Sequence, residues 1–556
     1  MENKAIAKTF KLYSQLMELF NENPFRTKAM ASASFKIDKL PFPAAGATID
    51  QLSTQPGIGK STAERIMLIL ASGSFPELDN LLTQTPPGVM AMLTIKGLGP
   101  KKIRSIWKDL GIESIGELLY ACNENRLIEA KGFGLKTQEE IRKSIEFSNA
   151  NQGLFLYAKV EKIAATLLGN LVSHFPDKQH TFTGEFRRKC EIIASVEILT
   201  TCSVSEIHAF LEETPAYSVE EYQDIAVRLT DDLGVRYIIR STTADRFAAD
   251  LILTTGSETH LQELRSIGAD ITTFGSEETI YESLGLSYIE PELREGSGEV
   301  EWAKERQIPQ LITYADLKGT LHNHSTYSDG VHSLEQMAIY CKDELGLSYF
   351  GICDHSKTAV YASGLSIERV KEQWIEIDQL NKKLAPFRIF RGIESDILSD
   401  GSLDYPDDIL AKFDFVVASI HGNLRMDEEK ATQRLITAIE NPHTTILGHP
   451  TGRLLLSRPG YPIDYKKVID ACAANQVVIE INANPLRLDL DWRWQRYALE
   501  KGVLLSINPD AHRTEGLTDM QYGVYVARKG GLSPKHCLNA FSLQDIEQYF
   551  AAKKKR

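Results

Sequence analysis

From about residue 311 onwards, the chain alternates short apolar segments with amphipathic segments of helical spacing. The apolar segments are KGTLHNH, YFGICDH, FRIFRGIE, FDFVVASIH, TTILGHP, QVVIEINAN and VLLSINPDAH. Strands that alternate with helices form a parallel sheet in which the helices are the crossover connections. The pattern therefore predicts a distorted (β/α)7 barrel over residues 311–556.

Six of these seven segments end in residues of the types that bind metals. In chain order the residues are His322, His324, Asp329, Asp354, His355, Glu394, His421, His449, Asp510 and His512. Parallel barrels bring the C-terminal ends of their strands to one mouth, and alternate residues of a strand point to the same side. Of the 13 histidines, nine follow residue 310 and six of those nine lie in these positions, which unrelated capping residues explain poorly. We predict a cluster that holds divalent cations.

Nitrogen and carboxylate ligands suit several cations. We expect manganese or zinc, with iron and magnesium as alternatives, because ligand type alone does not choose among them. His332, His443 and His536 do not end a strand, and they are interpreted as surface or outer groups. Arg453 in GHPTGR and Lys357 in DHSKT are candidates for holding a phosphate next to the cluster.

The first 150 residues contain a different repeat. PGIGK (56–60), KGLGP (96–100) and KGFGL (131–135) each place two glycines between segments of helical spacing. A helix that follows such a turn exposes its first backbone N–H groups, which suit a phosphate. The predicted contact residues are Gly57, Gly59, Lys60, Gly97, Gly99, Lys101, Lys102, Gly132, Gly134 and Lys136. The three motifs resemble helix-hairpin-helix elements, which grip DNA backbones without reading sequence.

The middle of the chain resembles the palm of family X DNA polymerases. The stretch NENPFRTKAMASASFKI is similar to the opening of the small N-terminal domain of that family, and GEFRRKCEIIASVEIL (184–199) follows the palm motif G-S-x-R-R-x-x-E-x-x-x-D-x-D. The family serine is replaced by Glu185, and the paired aspartates are replaced by Ser195 and Glu197. Asp250 is the candidate third acid, expected on a neighbouring strand.

One of these replacements removes a negative charge that the chemistry needs, and another adds one where it is unfavourable. Phosphoryl transfer by two cations about 3.5 to 4 Å apart requires acids that hold both of them, and serine supplies no charge. Glu185 would also repel a triphosphate. We therefore predict a degenerate palm and thumb that has lost all or most of its polymerase activity.

Residues 311–556 resemble the PHP (polymerase and histidinol phosphatase) domain, and the order of hairpins, palm and PHP domain is that of the bacterial PolX proteins. This resemblance implies three metals. His322, His324, Glu394 and Asp510, the candidate catalytic residues, would hold the first; Glu394 would bridge to a second held by His421 and His449; and Asp329, His355 and His512 would hold the third. Asp354 is expected to orient a ligand from outside. The implied activity is a metal-dependent 3′–5′ DNA exonuclease of the DNA-repair type.

The expected organisation is a helical domain with the first hairpin (1–85), a domain with two hairpins (86–150), the palm and thumb (151–310) and the PHP domain (311–556). Residues 1–150 carry a net charge of +3 and the remainder −16, which fits a DNA-binding module joined to a cation-binding one. The seven scattered cysteines, and the lack of a secretory signal or an apolar span, predict a cytoplasmic monomer without a membrane partner. Gapped, nicked or 3′-ended DNA is the expected partner.

Three other hypotheses are open. An active gap-filling polymerase with an associated exonuclease is the first, and Glu185, Ser195 and Glu197 argue against it. A small-molecule phosphatase of the histidinol phosphate kind would not need the three hairpins. A DNA-binding scaffold without catalysis would be expected to have lost some metal ligands, and every ligand position is retained.

Overall fold

The computed structural model describes residues 1–556 except 124–126, 128–131, 151–152, 269–270, 272–274, 457–458 and 556. The chain divides into two compact units, Met1–Gln152 and Gly153–Arg556. The domain boundaries expected near residues 85 and 310 stay predictions. In the described parts of the chain, no helix combines the length and the apolar character needed to cross a membrane.

The N-terminal unit is helical. Its helices are α1 (Asn3–Leu19), α2 (Pro24–Asp38), α3 (Ile49–Ser53), α4 (Lys60–Ser72), α5 (Pro76–Gln84), α6 (Pro87–Met92), α7 (Pro100–Arg104), α8 (Ile115–Asn123) and α9 (Leu135–Ala150), with a π-helical turn at Ser105–Asp109. Apolar side chains from these helices form one buried cluster. The predicted order of helix, glycine turn and second helix is confirmed at the first two motifs, and at the third motif the second helix, α9, is confirmed while residues 128–131 before the turn lie outside the described residues.

Each glycine turn buries the residue between its two glycines. Ile58, Leu98 and Phe133 are buried, and the glycines on either side of them are exposed. Gly57, Gly97 and Gly132 all have a positive φ, between +82° and +92°, which a residue with a side chain rarely adopts. Lys60, Lys101 and Lys136 are exposed beside the turns, whereas Lys102 is half-buried over the ring of Phe133. Lys131, at the start of the third motif, lies outside the described residues.

The second unit begins with a mixed α/β region. Its elements are β1 (Phe155–Leu156), α10 (Tyr157–His174), β2 (His180–Thr183), α11 (Gly184–Arg187), β3 (Ile192–Ile193), β4 (Val196–Thr200), α12 (Val204–Glu212), β5 (Tyr217–Tyr222), β6 (Ala226–Asp231), β7 (Arg236–Ser241), α13 (Phe247–Thr255), α14 (Glu258–Ser266), α15 (Glu277–Ser283) and α16 (Glu299–Lys304). Five strands form one sheet in the order β2-β4-β7-β6-β5. Of the four strand pairs in this sheet, only β4 and β7 are parallel.

The second unit ends with seven parallel strands that alternate with helices. They are β8 (Gly319–Thr320), α17 (Leu334–Ile339), β9 (Tyr349–Ile352), α18 (Ile367–Leu384), β10 (Arg388–Asp396), α19 (Asp407–Leu410), β11 (Phe415–Ser419), α20 (Glu428–Ile439), β12 (Ile446–Leu447), α21 (Tyr465–Asn475), β13 (Val478–Asn482), α22 (Trp492–Glu500), β14 (Leu505–Asn508), α23 (Met520–Lys529) and α24 (Leu543–Lys553). The strands are ordered from β14 to β8, and a parallel bridge between Asn323 and Ala511 joins the chain just beyond the two edge strands. The predicted barrel is confirmed.

Buried polar contacts join the barrel to the middle region. Lys529 of α23 is fully buried, and its ammonium group donates to the carbonyl of Arg188, 3.1 Å away, and to the carboxylate of Glu295. The hydroxyl of Tyr522 lies 3.1 Å from the carboxylate of Glu161. These contacts agree with the grouping of residues 153–556 into one compact unit.

Candidate metal centre

Glu394, near the end of β10, lies at the centre of a buried group of histidines. Its Oε1 atom is 3.2 Å from His322 Nε2, 3.1 Å from His421 Nε2 and 3.0 Å from His449 Nε2. Its Oε2 atom is 2.9 Å from His355 Nδ1 and 3.6 Å from His324 Nε2. The parallel strands bring these residues together from five different strand ends, as the spacing of the ligand-type residues predicts.

The remaining three candidate ligands, Asp329, Asp510 and His512, also lie beside His324. Asp510 Oδ1 is 3.1 Å from His324 Nε2, and Asp329 Oδ1 is 3.3 Å from His512 Nε2 and 3.7 Å from His355 Nε2. Three groups have the spacing of metal ligands: His324 with Asp329, His355 and His512; His322 with His324 and Asp510; and His355 with Glu394 and His421. The structure therefore supports several metal sites. The assignment of each ligand to a particular metal stays a prediction.

The ring nitrogens and carboxylate oxygens of the cluster are suited to binding cations. His322, His324, Glu394 and His449 are almost completely buried. Within the described residues, His322 Nε2, both ring nitrogens of His324 and Glu394 Oε2 have no hydrogen-bond partner. Buried polar atoms without partners are costly, and a set of imidazole nitrogens and carboxylate oxygens is the chemistry that Mn²⁺, Zn²⁺ or Fe²⁺ requires.

Two acids that hold these histidines were not predicted. Glu480 in β13 is fully buried, and its carboxylate accepts from His322 Nδ1 at 2.7 Å and from the backbone N–H of His449 at 2.8 Å. Asp396 lies 2.5 Å from His421 Nδ1. Both acids turn the other ring nitrogen of their histidine towards Glu394. Two signals in the sequence could have found these acids. Glu480 is an acid inside the apolar strand QVVIEINAN, and Asp396 follows Glu394 by two residues, on the same face of the strand.

Asp354 contacts the loop between two ligands. Its buried carboxylate accepts from the backbone N–H of Ser325 at 2.8 Å and from the hydroxyl groups of Ser325 and Ser328 at 2.7 and 2.5 Å. This loop lies between His324 and Asp329. The position is consistent with the predicted orienting role.

The two phosphate candidates have different surroundings. Lys357 is exposed, two residues after His355. Arg453 donates to Asp491 Oδ2 at 2.5 Å and to the carbonyls of Arg487 and Leu488, which argues against a phosphate role because those groups already hold its guanidinium. Arg487 was not predicted, yet its Nε atom is 3.7 Å from Asp510 Oδ2, so the backbone that Arg453 holds places a different arginine beside the cluster.

The charges of the cluster set the protonation of its histidines. Burial opposes protonation of His322, but the carboxylates of Glu480, Glu394 and Asp510 outweigh burial and raise the pKa of His322 well above its usual value. By the same balance, the pKa of His421 is raised to about 10 and that of His512 to about 9. Burial and the neighbouring His512 and His355 lower the pKa of His324 to about 3.

Metal loading should therefore release protons. A raised pKa means that His322, His421 and His512 carry protons near pH 7 in the metal-free protein, and a metal binds only the neutral imidazole. We expect the apparent affinity for Mn²⁺ to rise with pH until His512 and His421 lose their protons, at about pH 9 and 10. Calorimetric titrations in buffers of different ionisation enthalpy would measure the released protons. The variant His208→Asn, which alters an exposed histidine of α12, should release as many as the wild type; equal heats in all buffers would contradict the assignment.

The palm-like sheet lacks the expected acids. Glu197 pairs with Thr183 on β2 and with Ile238 on β7, and neither of these strands contains an aspartate or a glutamate. The prediction that Asp250 lies on a neighbouring strand is wrong. Asp250 belongs to α13, where its carboxylate accepts from Thr242 Oγ1 and Arg246 Nη2 at 2.5 and 2.8 Å. The apolar run ADLILTT suggested a strand, and periodicity does not separate a short buried helix from a strand.

The other palm positions are engaged within the fold. Glu197 Oε2 accepts from Arg240 Nε and Nη2 at 2.8 and 2.6 Å, and Glu185 Oε2 accepts from the backbone N–H of Ala194 at 2.8 Å. Ser195 directly precedes β4. None of the metal-ligand groups found in the described residues includes an acid of this sheet.

Two retained arginines of the palm motif have structural partners. Arg187 donates to both carboxylate oxygens of Glu277, and Arg188 donates to Glu295 Oε1 at 3.1 Å and to the carbonyl of Thr255 at 2.7 Å. Gly184 has φ +63°, and a Cβ atom there would lie 2.9 Å from Glu197 Oε1. The persistence of this motif is explained by packing and ion pairs.

Along the chain, helix-hairpin-helix motifs come first, a palm-like sheet follows, and a parallel barrel with this cluster comes last. This order and this cluster define a multidomain protein of the PHP type. Over its length the chain is similar to the DNA polymerase/3'-5' exonuclease PolX of Bacillus subtilis (strain 168), with 35% identity over 570 residues that cover 99% of both chains. The chain belongs to the bacterial PolX family.

Parts of the chain match other proteins. A helix-hairpin-helix domain model matches residues 1–75, and a SAM-like helix-hairpin-helix tandem model matches residues 89–146. A probable phosphatase of Thermoanaerobacter sp. (strain X514) is 30% identical over 187 residues, which cover 32% of this chain and 74% of that protein. A probable phosphatase of Shewanella sediminis (strain HAW-EB3) is 32% identical over 166 residues, which cover 29% of this chain and 62% of that protein.

Proposed function

We propose that the barrel hydrolyses phosphodiester bonds at the 3′ ends of DNA, as a metal-dependent 3′–5′ exonuclease. The observation that carries this proposal is the convergence of seven ligand-type side chains around Glu394 and His324 at the barrel mouth. When bound, the cations supply Lewis-acid stabilisation of the phosphoryl oxygens and an activated water nucleophile. The residues of this chain hold the cations, and Glu480 and Asp396 orient the histidines.

The residues predicted to bind DNA fit this proposal. The glycine turns expose Lys60, Lys101 and Lys136 beside helix N-termini, where a DNA backbone would meet both cations and backbone N–H groups. The proposed substrate is therefore gapped, nicked or 3′-ended DNA. This module makes a small-molecule phosphatase the weaker candidate, although the relatives named as probable phosphatases match only about a third of this chain.

The palm-like sheet is proposed to have lost all or most of its polymerase activity. Of its three expected acid positions, one holds Ser195, one holds Glu197 in an ion pair with Arg240, and the neighbouring strands offer no third carboxylate. A second candidate is a gap-filling polymerase with an associated exonuclease. The name of the Bacillus subtilis relative, which covers both activities, favours this second candidate.

One comparison tests both candidates. Wild type, His322→Ala and the control His443→Ala, whose histidine lies outside the cluster, are incubated with 5′-labelled primed and gapped DNA, with and without dNTPs, in Mn²⁺, Mg²⁺ and Zn²⁺. We expect wild type and His443→Ala to shorten the primer, His322→Ala to lose most of this activity, and none of them to lengthen it. Extension at ordinary polymerase rates would establish the second candidate, and undiminished shortening by His322→Ala would place the nuclease elsewhere.

A further inference from the structure

A groove opens beside the metal cluster on the side of His421. It has a volume of about 530 Å³ and shares His421 with the cluster. Ser399 from the loop after β10, Leu424 and Met426 from the loop after β11, and Lys430 and Arg434 of α20 also line it. A volume of this size is within the range of pockets that hold a small ligand. No residue of this groove was singled out from the sequence other than His421.

The groove has a fixed positive floor. Arg434 is only 5% exposed, and its guanidinium donates to the carbonyls of Leu398 at 2.8 Å and Gly422 at 3.0 Å. These bonds tie the loop after β10 to the loop after β11. Within the described residues, no carboxylate lies within ion-pair distance of Arg434, so its charge is not neutralised by direct contact.

Lys430 adds a second positive charge to the groove. It is exposed, and within the part of the chain that the structure describes its ammonium group has no ion-pair partner. Arg425 also lines the groove, and none of the described lining residues is an aspartate or a glutamate. The groove therefore favours an anion.

We propose that this groove holds the nucleotide next to the scissile bond, with Lys430 facing its phosphate and the buried charge of Arg434 adding to the positive potential of the groove. The inference rests on the proposed nuclease function. A DNA strand whose scissile phosphate lies at the cluster must either continue past His421 or leave the barrel mouth. Leu424 and Met426 offer apolar contact for a sugar or a base, and methionine adapts to different shapes. The groove would thus select a polynucleotide over an isolated phosphate ester.

The variant Lys430→Glu tests this inference. Its hydrolysis of a 5′-labelled oligonucleotide is compared with its hydrolysis of bis(p-nitrophenyl) phosphate, a diester without a second nucleotide. We expect KM for the oligonucleotide to rise about tenfold, the salt dependence of KM to weaken by about one phosphate contact, and the small diester to be hydrolysed at the wild-type rate. The control Lys412→Glu, which alters an exposed lysine after α19, should behave as the wild type on both substrates.

The failures are distinguishable. An active wild type and an unchanged KM in Lys430→Glu would overturn this inference alone, and so would equal losses on both substrates, which would indicate a structural role. A metal-loaded wild type that hydrolyses neither substrate would overturn the proposed function and this inference with it.

Discussion

The variant Glu394→Gln is expected to lose at least about 100-fold in kcat/KM on 3′-ended DNA, more than the 10- to 100-fold typical for groups outside the metal ligands. The carboxylate of Glu394 lies within 3.6 Å of five histidine rings, and both of its oxygens face the cluster. Glutamine keeps the shape but replaces one oxygen with an N–H donor, which cannot bind a cation. Metal content should fall by at least one ion per chain.

Steady-state kinetics together with metal analysis of the purified protein would measure both losses. The variant Glu440→Gln is the matched control because Glu440 is exposed at the end of α20. It should retain the activity and the metal content of the wild type. Full activity and a full complement of metals in Glu394→Gln would show that the cluster does not work around this residue.

The variant Glu277→Gln is expected to lower the free energy of unfolding of the second unit by about 3 to 5 kcal/mol. Glu277 Oε1 accepts from Arg187 at 2.9 Å and from Arg294 at 2.6 Å, and Arg294 is completely buried. Without the carboxylate, the charge of Arg294 stays buried, and the described residues offer it no other ion pair. Urea titration followed by tryptophan fluorescence would measure the shift in midpoint.

The pH dependence of this contribution follows from the sign of the shift. Burial raises the pKa of Glu277, but the hydrogen bond from Arg187 and the charge of Arg294 outweigh burial and lower it overall. The contribution is therefore present above the usual glutamate pKa of about 4.3 and is lost as pH falls through the lowered value. The control Glu258→Gln breaks an exposed pair with Arg265 and should cost no more than about 1 kcal/mol at any pH. Equal midpoints for Glu277→Gln and wild type would contradict the argument.

The barrel and its cluster could be predicted because their signals repeat along the chain. Each strand is a short apolar run, and the ligands follow at strand ends, where parallel topology alone brings them together. Glu480 could not be assigned in the same way because a single acid inside a strand does not reveal its partner. The role of Arg453 was open for a similar reason: a guanidinium after a histidine ligand fits a phosphate or a carbonyl equally, and only the fold shows the carbonyls of Arg487 and Leu488.

The palm was harder to predict because its register depends on pairing between distant segments. The apolar run around Asp250 predicts a strand, but the chain there forms α13, and the parallel strand beside Glu197 is β7, which ends at Ser241. The buried charge of Lys529 gave no sequence signal, since a lysine in an amphipathic helix is usually solvated.

Lys529 has a consequence for how the two regions can change. Its ammonium group is inside the protein, and both of its oxygen partners belong to the middle region. Losing the carboxylate of Glu295 while Lys529 stays would leave a buried cation without that negative partner, which is costly. Substitutions on the two sides of this boundary are therefore coupled, and the pair Lys529 and Glu295 tolerates a joint change better than a change of either residue alone.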